Sequence, residues 1–416
     1  MKSAKNKLII KNNSKILKQC VKFAILLLAI VVVFAVFNQS EQVACFAENE
    51  AYVSDEEIEK QFEDETNAQV EELDFSKLDS ELDVIGDDIG VFQSRSIKEY
   101  VYSVINGDVV ADFGSIFSAV KEGAVSSFKG VIASFSAVVV LAILFSLYNS
   151  FAPTGKVSNV IKIMFASSIA IVLLLVSKGV VEKASQAMKS MQNQMNIIFP
   201  ILIGLINVAG AGLSVKMFQP SMLFLSSVIS NVFSYFLMPL FLITVGFTVV
   251  ESLSTENNFF KFSRFTKSLF KWTIGVVFGV FMSVLTIGGI TSGASAGVSV
   301  KATKYALKNY IPYLGGYVSD GFELSRASAI LIKNSVGFSS LMLLLATIIS
   351  PIVSIGVFSL ALNLISSICK PIINDSQNSL IQNFADAFKM LTAIVVGVAV
   401  MYFYMLSLVV STVNIV

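Results

Sequence analysis

The sequence predicts an all-α, polytopic helical membrane protein with a cleavable signal peptide and an acidic extracytoplasmic N-terminal segment. Three observations predict it. The 416 residues are 55% hydrophobic and 14% charged, with a mean hydropathy of +0.75, too apolar for a soluble chain of this length. Carboxylates are segregated: 18 of the 29 Asp and Glu lie in residues 48–99, and 10 are spread over residues 101–416. An isolated charge in hydrocarbon costs ~2.5–3.5 kcal/mol even on the lenient insertion scale, so that segregation separates an aqueous segment from a lipid-embedded one. Apolar stretches long enough to cross a bilayer follow residue 130.

Residues 1–47 read as a signal peptide. Seven lysines up to Lys22 precede the apolar core Phe23–Phe37, and Cys45-Phe46-Ala47 places small residues at −3 and −1 of a cleavage site before Glu48. Fifteen helical residues span about 22 Å, short for a permanent crossing; the alternative is an uncleaved anchor extended through Ser40. In both cases the lysines hold the N-terminus in the cytoplasm and the chain from Glu48 goes outside.

Residues 48–99 hold four basic residues, Lys60, Lys77, Arg95 and Lys98, and read as an acidic extracytoplasmic segment, largely flexible. Leu73, Leu78, Leu82 and Ile85 are spaced for a short amphipathic helix within it. Over residues 100–129, Val109, Phe113, Ile116, Phe117, Val120 and Ala124 recur at helical spacing and predict an amphipathic helix on the membrane or against the first span. Residues 130–416 form the polytopic domain, with apolar blocks at 130–149, 163–177, 197–213, 221–250, 272–291, 336–368 and 390–413. Blocks 221–250 and 336–368 are too long for one straight crossing and contain Pro239 and Pro351, so each tilts and kinks or breaks into a hairpin. Six to nine spans result.

Within Phe259–Trp272, the cations Lys261, Arg264, Lys267 and Lys271 alternate with Phe262, Phe265, Leu269 and Trp272. That pattern predicts an interfacial basic helix on the cytoplasmic side and not a nucleic-acid site. Two related halves, 157–271 and 272–416, are suggested by a spacing of 112 that carries Lys189, Pro200, Leu202, Gly204 and Pro239 onto Lys301, Pro312, Leu314, Gly316 and Pro351. Duplication with proline-broken helices points to transporter or channel architecture; coincidence among seven prolines is the plainer reading.

Asp320, Glu323 and Arg326 fall at i, i+3 and i+6, where they can share a face and pair, and Lys333 lies two turns on. Either this stretch lines an enclosed cavity or it is an extracytoplasmic loop. The candidate cavity or hinge residues are therefore Pro200, Lys216, Pro220, Pro239, Pro312, Asp320, Glu323, Arg326, Lys333 and Pro351. Gly275 and Gly279, then Gly289, Gly293 and Gly297, repeat a four-residue spacing that lets helix backbones approach, for packing within the subunit or between copies.

Catalysis finds little support. The chain has no histidine and three scattered cysteines, which removes imidazole-dependent nucleophiles, His-ligated metals and thiolate metal sites. No GxxxxGK[ST] loop is present, so energy from ATP comes from a partner. An aspartyl mechanism would need Asp320 with Asp375 or Asp386, and none of these is central in an apolar block. No enzyme, cofactor or metal is expected.

Three long runs carry a resemblance: Gly212–Asn231 (GLSVKMFQPSMLFLSSVISN), Phe260–Gly275 (FKFSRFTKSLFKWTIG) and Lys301–Gly337. Together they resemble the stage III sporulation protein AE family over roughly residues 100–416, with Arg326 standing where that family has a small residue. The resemblance implies a non-enzymatic multi-pass subunit of the sporulation channel or secretion-like complex between mother cell and forespore, needed for late forespore gene expression. It implies the mother-cell membrane around the forespore, a pore-lining role, and as partners membrane lipid and other stage III sporulation A proteins, including an ATPase and ring-forming subunits. Homo-oligomers are a further possibility, and nucleic acid is not a partner. The alternative is a secondary transporter with internal repeats and proline-broken helices.

Overall fold

Between residues 336 and 368 apolar side chains occur on every side of the chain, a pattern that suits a helix enclosed by other helices. The computed structural model places that stretch inside one 55-residue helix, Gly315–Cys369, around which the bundle is built. The structure describes residues 55–85, 96–108, 113–151, 156–253, 260–310, 315–371, 373 and 375–412; residues 59–416 form one compact unit. The signal peptide and its cleavage site lie outside the described residues, as does Pro312.

The helices are α1 (Asp55–Glu71), α2 (Ser76–Ile85), α3 (Ile97–Ile105), α4 (Phe113–Phe151), α5 (Lys156–Val208), α6 (Gly212–Val232), a π turn (Phe233–Leu237), α7 (Met238–Leu253), α8 (Phe260–Tyr310), α9 (Gly315–Cys369) and α10 (Asp375–Ser411). No strand occurs among the described residues. Helix α9 packs against α10, α5, α4, α3 and α8, while α6 and α7 pack on α8, and α7 on α10. The chain is a helical polytopic membrane protein: five stretches are long and apolar enough to cross a bilayer, Val160–Val208, Gln219–Leu253, Phe262–Ile287, Ser319–Cys369 and Gln377–Ser411, with a shorter apolar run at Phe135–Tyr148. The apolar window of α9 is 72% buried and that of α8 only 17%. Helix α9 is thus the core, and α8 turns most of its surface to lipid.

Two of the expected breaks are absent. Block 163–177 and most of block 197–213, up to Val208, are not separate spans but belong to α5, whose 53 residues are about 80 Å long. The polar stretch between them stays helical because Ala184, Ala187, Met188, Met191 and Met195 supply an inward stripe, while Lys178, Lys183 and Lys189 point outward. Block 336–368 is likewise one helix, with Pro351 buried inside it. Block 221–250 does not fold into a hairpin; it runs from α6 through the π turn into α7. Pro239 has no N–H to give the carbonyl four residues back, and its ring crowds that carbonyl. One residue earlier Met238 N–H bonds instead to Phe233 O, five residues back, so the widened turn absorbs the misfit.

In the acidic tract read as largely flexible, residues 55–85 form α1 and α2. Val70, Phe75 and Leu78 are fully buried there. Helix α2, the predicted amphipathic stretch, lies on α5, with Asn193 Nδ2 donating to Glu81 Oε1 at 2.9 Å. Helix α3 starts at the Ser96 cap, whose side chain accepts from Glu99 N–H, and buries Ile97, Tyr100 and Val101.

Candidate functional site: the polar head of the central helix

The first five turns of α9, residues 315–333, carry all of its charge, and four other elements converge on them. Gln69 Nε2 of α1 donates to Ser325 O at 3.3 Å and to Ser325 Oγ at 3.1 Å. Lys304 of α8 pairs with Glu323 at 2.5 Å. Gly210, in the left-handed region at φ +80° just past α5, sits so close to the Phe322 ring that an added Cβ would lie 2.7 Å from it. Only glycine suits both demands.

The fourth contact comes from Lys333, which is fully buried. Its Nζ donates to Val410 O and Thr412 O, each at 2.6 Å. These carbonyls end α10 and have no helical N–H to receive, and the helix dipole makes that end negative. A buried ammonium is tolerated only when its donors are used, and charge-assisted bonds to these carbonyls use two of them. One turn on, a methyl at Gly337 would overlap the Val410 side chain, so α9 and α10 touch at backbone distance there. Arg326 is half-buried, and its Nε is enclosed without a hydrogen-bond partner. Asp320 is exposed. Glu323 bonds across to α8 and does not pair with Arg326 along its own helix.

The other candidate hinge residues are not gathered here. Pro200 and Pro239 are exposed on α5 and α7, Lys216 and Pro220 are exposed on α6, and Pro351 is buried five turns further along α9. Gly275 and Gly279 have nothing within 4 Å of where a Cβ would be, so they face outward from the bundle. Gly289, Gly293 and Gly297 follow on the same helix, α8. The basic residues begin that helix: Lys261 is its second residue, Arg264 and Lys271 are exposed, and Lys267 is half-buried.

The buried Gln194 escaped sequence reasoning. Its Nε2 donates to Thr347 Oγ1 at 2.7 Å, joining α5 to α9 in the core. Similar ties join Ser127 to Ser354 and Ser366 to Asn378. The available signal was Gln194 sitting in phase with Ala184, Ala187 and Met191. Outside the membrane spans, burial pushes the Tyr100 phenol up to about 12. The Ser76 hydroxyl and backbone N–H hold the Asp74 carboxyl below its usual range. Chemically, the head of α9 holds helices together; among the described residues no cluster of three or more His, Cys, Asp or Glu exists.

A family model described as Stage III sporulation protein AE matches residues 95–413, which includes α3 to α10. Stage III sporulation protein AE of Bacillus subtilis (strain 168) is 20% identical over 292 residues, 64% of this chain and 73% of that relative. No solved structure matches.

Proposed function

Because the chain belongs to the stage III sporulation protein AE family, we propose that it serves as a non-enzymatic membrane subunit of a channel or secretion-like complex between mother cell and forespore. In this reading it sits in the mother-cell membrane around the forespore, supports late forespore gene expression and contributes to the pore lining. An ATPase and ring-forming proteins of the same complex are its partners. The observation that carries the reading is the extent of the family match, which takes in every candidate span and the junction at the head of α9.

The secondary-transporter reading draws on prolines in corresponding places. Such a site is built from half-helices that end near the bilayer midplane, whereas α5 and α9 run unbroken through Pro200 and Pro351 and the chain before Pro239 widens into a π turn without breaking. That continuity supports the subunit reading. The deciding experiment expresses the chain in an endospore former lacking its own relative and follows a late forespore reporter. Restored reporter activity, together with co-purification of the partner ATPase or ring proteins, supports the proposal. Ion-coupled uptake by the purified chain alone in liposomes would overturn it.

A further inference from the structure

We propose that the first turns of α8 form a binding site for anionic phospholipid headgroups where that helix enters the bilayer. The observation is a single stripe on α8 whose chemistry changes along its length. Ser263, Thr266, Phe270 and Thr273 face inward and are buried. Arg264, Phe265, Lys271 and Trp272 are exposed on the other side. Arg264 and Lys271 are seven residues apart and so share a face.

Trp272 is 68% exposed and Phe265 62%, values no aqueous surface favours for large aromatic rings but which suit a headgroup layer. The stripe continues beneath them as Gly275, Val276, Gly279, Val280 and Ile287, all exposed. From Arg264 to Ile287 it covers about 35 Å, close to one hydrocarbon thickness with its headgroup edge. Arg264 then stands level with the phosphates, Lys271 about 10 Å deeper reaches toward them by extending its stem, and small or branched apolar residues stand level with acyl chains.

Glu251, at the end of α7, lies against Ser263 and Lys267 on the inner side. Lys267 is half-buried, and Arg264 and Lys271 are cations turned outward among the described side chains. Phe262 stacks on Phe247 with ring centroids 5.6 Å apart, which fixes the start of α8 on α7 and sets the direction of the stripe. Two outward cations beside an apolar face complement a lipid with a negative headgroup better than a zwitterionic one.

The chain contains a single tryptophan, so its fluorescence reports on Trp272 alone. The full chain is reconstituted into phosphatidylcholine bilayers containing equal mole fractions of brominated phosphatidylglycerol or brominated phosphatidylcholine, and quenching is compared. The expected result is a preference of about fivefold for the anionic lipid at low salt, falling as salt is raised. The double variant R264Q/K271Q, which keeps Trp272 and alters exposed positions, should bring the two lipids to near parity, whereas K389Q on α10 should not. Equal quenching by both lipids in the unsubstituted chain would overturn the proposal, as would a preference that survives R264Q/K271Q. Absence of quenching by either lipid would overturn it too, since protein, such as a second copy, would then cover this face.

Discussion

Lys333 shows how much a single side chain at the head of α9 determines. Replacing it with methionine keeps the volume and removes a buried charge, but leaves the carbonyls of Val410 and Thr412 enclosed without donors. The two effects partly offset, so K333M should lose about 1–2 kcal/mol. K333A adds a cavity and should lose about 3–4 kcal/mol. Thermal unfolding in detergent checks both, and a K333M protein as stable as the parent would refute the tie. Tyr100 gives a pH signature. Its phenol is raised to about 12 by burial, so its contribution is complete below the ordinary value near 10 and disappears as pH climbs from about 10 to 12. The unfolding midpoint should fall across that interval, and Y100F should flatten the fall; identical profiles would contradict it. Lys333 entered the sequence reading only as the charge two turns on from Arg326. The partner itself was hidden, being backbone 77 residues away. For Glu323, helical spacing allowed a partner at Arg326, while packing offers Lys304.

At the level of elements, the apolar blocks were legible because hydropathy is local, although the six to nine spans they suggested reduce to five candidate stretches, and the basic start of α8 because its pattern repeats every turn. The continuity of α5 was not. A stretch rich in Lys, Gln, Ser and Asn between two apolar blocks reads as a loop until the inward stripe from Ala184 to Met195 is packed on its neighbours. That continuity is testable at Gln186, which is exposed and mid-helix. Proline there removes an N–H and clashes with the preceding turn, costing about 3 kcal/mol, whereas Q186A should be nearly neutral. A linker in this place would tolerate both, so equal melting of the two variants would show that α5 is broken. The π turn was equally hidden, since Pro239 announces a disturbance in the ladder without saying whether the chain bends, breaks or widens.

On the scale of the whole molecule, the membrane architecture followed from composition, while the placing of α1, α2 and α3 on α5 and α9 did not. Their attachment rests on a few buried side chains and on two amide contacts, Gln69 with Ser325 and Asn193 with Glu81. A cysteine pair at Gln69 and Ser325 should therefore be joined by a short bifunctional thiol reagent in the native protein. A pair at Gln69 and the outward-facing Val280 should not; capture of the second pair alone would show that the helices pack elsewhere. Helix α5 reaches from Asn193, under α2, back to Lys162, whose carbonyl receives Gln377 Nε2 near the start of α10. The two sites are about 46 Å apart along one uninterrupted rod. A push on α2 would thus reach the start of α10 through a single helix, with no break between the two contacts.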